Sequence, residues 1–129
     1  MFILQFEIPG LPPMNSASGM HWRKRKEFKD KWHSWVRLAT LRNRPRSPLT
    51  RARVTVVRCS TQQPDYANLG EGSKFIIDAL TQSHGCGVIE DDSPEYIGRP
   101  ILEWEKVKRK DQCVRVTVEE LRPDEQLPR

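Results

Sequence analysis

Arg53-Val54-Thr55-Val56-Val57-Arg58 is followed, beyond Pro64 and Asp65, by Asn68-Leu69-Gly70-Glu71-Gly72-Ser73-Lys74-Phe75-Ile76-Ile77-Asp78-Ala79-Leu80. These two runs decide the fold. The first is dense in β-branched residues and predicts a strand. The second predicts a helix over residues 68–83, with Leu69, Ile76, Ile77 and Leu80 turned inward. Gly85 and Gly87 end that helix.

Working outward, residues 2–8 alternate. Phe2, Leu4, Phe6 and Ile8 fall on one side and Ile3, Gln5 and Glu7 on the other, which predicts a strand with one buried face. Pro9-Gly10-Leu11-Pro12-Pro13 stops it. A helix is expected over 21–41, because Phe28, Trp32, Trp35, Val36 and Ala39 make one apolar stripe. The stretch 42–53, broken by Pro45 and Pro48, reads as an exposed basic loop. Residues 101–107 and 113–119 read as a hairpin turning at Arg109-Lys110-Asp111, with Val114, Val116 and Val118 facing the core. The segment 122–129 reads as a loose tail. The order β-α-β-α-β-β predicts a single α+β domain over 1–129, a small mixed β-sheet with helices packed on it.

Composition narrows the function. The chain has 129 residues, 30% charged and 36% hydrophobic, with a net charge of +5. That balance, with a pI near 9.4, favours an anionic partner, nucleic acid before membrane. No apolar run approaches the roughly 18 residues that cross a bilayer. The first nine residues lack the basic flank of a secretion signal. Three cysteines, at 59, 86 and 113, show no CxxC spacing and fit reduced thiols in the cytoplasm. His84-Gly85-Cys86 is half a zinc site without its other half.

The candidate chemistry lies in acids set on this basic background. Asp65 would stand where a strand ends and a helix begins, and Asp91-Asp92 in the loop after that helix. Carboxylates brought together there repel, and a hard cation such as Mg²⁺ offsets the repulsion. The competing reading makes Asp65 a helix cap and Asp91-Asp92 a turn. Lys74 lies one helical turn before Asp78, as a surface ion pair with it or as a cation aimed at a phosphate. Arg23, Lys24, Arg25, Lys26 and Lys29 form a basic face suited to DNA phosphates. Trp32 and Trp35 read as core ahead of base-stacking platforms. His21, His33 and His84 show no partner in the sequence.

Asp65-Tyr-Ala-Asn68-Leu69, Ser73-Lys74-Phe-Ile-Ile-Asp78-Ala79-Leu80 and Gly87-Val-Ile-Glu-Asp91-Asp92-Ser93 resemble the RusA-type Holliday junction resolvases. Ile8-Pro-Gly-Leu-Pro-Pro13 with Asn15 is similar to that family's opening. The likeness touches most of the chain from Phe2 to Val118, and its middle motif is the specific part. It implies a small dimeric, Mg²⁺-dependent endonuclease of phage and prophage origin that resolves four-way DNA junctions in recombination and repair. By this likeness Asp65, Lys74 and Asp92 are catalytic, and Asp65, Asp92 and Asp91 hold the metal. Three extra residues, about Gly70-Glu71-Gly72, separate Leu69 from Ser73. The main departure is Ala67, which stands where the family has a second aspartate, and a methyl group cannot ligate Mg²⁺. The resemblance is therefore compatible with a weakened enzyme, with a branched-DNA-binding relative that does not cut, or with a variant inactivated by an introduced Ala67. An RNA-binding module is what the basic composition alone would suggest.

Overall fold

The computed structural model describes residues 1–9, 22–64 and 66–129, and the side chains of 22, 66–68, 71 and 72 stand outside that description. The elements are β1 (Ile3–Pro9), α1 (Trp22–Thr40), β2 (Ala52–Ser60), α2 (Tyr66–Leu80), α3 (Pro94–Ile97), β3 (Ile101–Lys106) and β4 (Cys113–Glu120). A 3-10 turn at Arg109–Asp111 precedes β4. The fold is α+β: helices pack on a four-stranded mixed sheet of order β1-β4-β2-β3. The short α3, absent from the sequence reading, follows the Asp91-Asp92 loop and has a proline at its start.

Alternation in β1 and β4 builds the core. Leu4, Phe6 and Ile8 are buried opposite Val114, Val116 and Val118, and Val54 and Val56 continue the layer on β2. Trp32 and Val36 of α1 and Ile76, Ile77 and Leu80 of α2 close it from the helix side. Gln5, Glu7, Arg115 and Thr117 lie on the opposite face of the sheet.

Residues 101–107 and 113–119 do not form a hairpin. β4 runs antiparallel to both β1 and β2, while β3 pairs parallel with the far edge of β2. The link 107–112 passes the end of β2, with the Val107 amide bonded to the Ser60 carbonyl at 3.0 Å. It spans two strand spacings, about 10 Å. The reason lies in the side chains. β4 buries Val114, Val116 and Val118 and takes an interior place, whereas β3 leaves Glu103, Glu105 and Lys106 exposed and suits an edge.

Three further expectations are corrected. The stretch 42–53 is anchored: Leu49 is buried and bridges Ile89, and Ala52 already belongs to β2. Trp35 is 36% exposed, so the apolar stripe of α1 narrows to Phe28, Trp32, Val36 and Ala39. The segment after Arg122 returns to the body of the fold, with the Arg99 amide bonded to the Pro128 carbonyl at 2.9 Å and the Arg51 guanidinium bonded to the Glu125 carbonyl.

Helix α2 stops at Leu80, three residues earlier than expected, because the chain folds back on it. The Cys86 amide bonds to the Ala79 carbonyl at 2.8 Å, and the Val88 and Ile89 amides reach the Leu80 carbonyl at 2.9 and 3.0 Å. Gly85 makes this approach possible, since a Cβ there would lie 1.9 Å from the Ala79 carbonyl oxygen. Gly87, at φ +78°, supplies the left-handed step.

Candidate functional site

Helices α1 and α2 meet side by side on the sheet. Phe28 and Phe75 make an edge-to-face contact with ring centroids 6.1 Å apart. Beside that contact opens a cleft of about 540 Å³, lined by Arg25, Lys26 and Lys29 of α1, Lys74, Phe75 and Asp78 of α2, and Asp92. Arg25, Lys26 and Lys29 share one helical flank by their three- and four-residue spacings. Arg23 and Lys24 are exposed but do not line the cleft.

Asp92 reaches the cleft because its loop is pinned just upstream. Ile89 bridges both Leu49 and Thr81, and the Glu90 amide bonds to the Leu49 carbonyl at 2.9 Å. The Asp92 carboxyl is held above its ordinary value, first by burial, then by the charge and hydrogen bond of Asp91, with a smaller push from the Asp78 charge. Its own backbone hydrogen bond opposes these effects. The Asp92 carboxyl, held back from ionising beside the acids of Asp91 and Asp78, offers the kind of oxygen donor that a hard cation takes. Among the described residues, however, no group of three His, Cys, Asp and Glu side chains is placed to hold a metal ion. Asp65, assigned to metal and catalysis by resemblance, lies outside the described residues.

Lys74 is exposed and forms no ion pair with Asp78. Asp78 turns instead to α1. Its Oδ2 lies 3.3 Å from Lys29 Nζ and 3.1 Å from His33 Nε2, and neither approach has hydrogen-bond alignment. His33, read as ordinary, thus faces an acid beside the cleft. The four-residue spacing of Lys29 and His33 signals a shared flank, but nothing local in the sequence identifies Asp78 as the partner. Position 67 is also corrected. Positions 65 and 67 would serve one metal most simply from an extended segment, yet α2 begins at Tyr66, so Ala67 is helical.

The tryptophans divide. Trp32 is buried, while Trp35 lies under the Lys31 ammonium, 5.0 Å from its ring centroid. The cysteines are free thiols, with Cys59 and Cys113 buried and cross-strand neighbours. Burial first, then hydrogen bonds with Glu7 and Cys59, push the Cys113 thiol up to about 12. Among the described residues no helix is long and apolar enough to cross a membrane.

No family model matches this chain, and no curated protein matches it.

Proposed function

We propose that this chain is a Mg²⁺-dependent, structure-selective endonuclease of the junction-resolving kind, working on branched DNA in the cytoplasm as a homodimer. The observation that carries the reading is the cleft. It gathers Arg25, Lys26 and Lys29 from one helix, Lys74 from another and Asp92 from a distant loop. Cations on the rim and a carboxylate within suit a phosphate backbone.

Arg25, Lys26 and Lys29 would bind flanking phosphates and orient the strand. Lys74, with no ion pair among the described residues, is available to charge that develops on the attacked phosphate. Asp92, its neighbour Asp91 and Asp65 would hold Mg²⁺, which when bound supplies a Lewis acid and an activated water. Two symmetric cuts across a four-way junction require two such sites, hence the dimer.

A second reading, a branched-DNA-binding protein that does not cut, is favoured by Ala67, whose methyl group offers no oxygen to a metal. Single-turnover cleavage of a labelled four-way junction over a Mg²⁺ titration separates the two. The native chain and Ala67→Asp are run side by side, with linear duplex and structured RNA as competitors. We expect junction binding by both and cleavage raised at least about tenfold by aspartate, or about 1.4 kcal/mol on the barrier. Binding without cleavage by either chain sinks the nuclease reading. Preference for RNA sinks both readings.

A further inference from the structure

Lys29 has two roles in the geometry. It lines the cleft beside Arg25, Lys26 and Lys74, and it is half of an ion pair with Asp78. The pair is weakly built: the Lys29 and Asp78 side chains are 43% and 25% exposed, and Asp78 Oδ2 has no aligned hydrogen bond. Such pairs are easily exchanged.

We infer that Asp78 is an internal surrogate for a backbone phosphate: it holds Lys29 in the cleft and yields it to an incoming phosphodiester. The inference rests on the nucleic-acid reading of the cleft. A phosphodiester entering there is drawn in by Arg25, Lys26 and Lys74 together, and its negative charge then competes with Asp78 for the Lys29 ammonium. Asp78 also sits near Asp92, whose ionisation its charge opposes. His33, 3.1 Å from the same Asp78 oxygen, stays behind when Lys29 leaves.

The test measures affinity for a four-way DNA and for inorganic phosphate in the native chain, Asp78→Asn, Lys29→Ala and the double variant. Removing the surrogate should tighten binding about two- to fivefold, equivalent to about 0.4–1 kcal/mol. Most of that gain should vanish in the Lys29→Ala background. A measurement on the native chain alone guards against a misfolded variant: the Lys29 ammonium and His33 ring NMR signals should both shift as phosphate saturates. Unchanged or weaker binding by Asp78→Asn overturns the inference, as does a gain that survives without Lys29 or a His33 signal that phosphate leaves unmoved. If native DNA binding is intact and Asp78→Asn gives no gain, only the inference falls. If phosphate produces the shifts and the gain but no nucleic acid binds, the nucleic-acid reading falls and the anion exchange stands.

Discussion

Replacing Arg25, Lys26 and Lys29 together with alanine tests the cleft most directly. The structure places these three and Lys74 around one opening, whereas Arg23 and Lys24 lie off it. Each phosphate neutralised on B-DNA contributes about −0.9 to the slope of log affinity against log salt. Counted per protomer, four cleft cations give a slope of about −3.6, so raising salt from about 50 to 200 mM should weaken each protomer's hold about 150-fold. The triple variant keeps Lys74 alone, and its slope should flatten to about −0.9, a loss of only about 3.5-fold over the same range. A control carrying Arg23→Ala and Lys24→Ala should change the slope much less. The assay is fluorescence anisotropy with a labelled four-way junction at several salt concentrations. A slope untouched by the triple change, or flattened more by the control, would refute the assignment of this cleft as the phosphate-binding surface.

Other expectations follow from burial and ionisation. Trp32→Ala removes a side chain 1% exposed and should cost about 3–5 kcal/mol, roughly 10–20 °C in Tm by calorimetry, while Trp35→Ala should cost less than about a third of that. Asp92 is held above its ordinary value, so its favourable contribution is intact at low pH and lost as pH rises through that elevated value. Asp92→Asn should therefore melt higher than the native chain at neutral pH, with the gap closing below about pH 4; a gap of the opposite sign at neutral pH would count against the carboxylate cluster. Gly85→Ala places a methyl against the Ala79 carbonyl and should lower Tm strongly, whereas a variant as stable as the native chain would mean the turn is drawn wrongly. Iodoacetamide at pH 8 should label Cys86 well ahead of Cys113, whose thiol is buried and pushed up to about 12.

The strands were legible wherever one face is buried, because alternation records the burial directly: Leu4, Phe6 and Ile8, then Val114, Val116 and Val118. Helix α1 was legible for the same reason at the helical period, and only Trp35 strayed from its stripe. The neighbour of each strand was not legible. A short link between antiparallel segments looks the same whether they pair directly or admit β2 between them, and that choice is made by tertiary packing. In the site, the basic flank and the Asp91-Asp92 loop could be read from residue types. That Asp78 would ignore Lys74 on its own helix and face Lys29 and His33 could not be read, because it depends on how α1 lies against α2.

The place of β4 has a consequence for how the fold assembles. It is the latest of the four strands in the chain, yet it sits between β1 and β2, and β1 has no other strand neighbour among the described residues. β1 therefore waits with its ladder unpaired until residues 113–120 become available. Its pairing joins positions as far apart as Ile3 and Glu119, a long loop closure that must precede the reward of the ladder. The sheet should thus appear late and nearly all at once, after the helices. Until then Leu4, Phe6 and Ile8 form an uncovered, aggregation-prone edge, a hazard concentrated in nascent or truncated chains that end before β4.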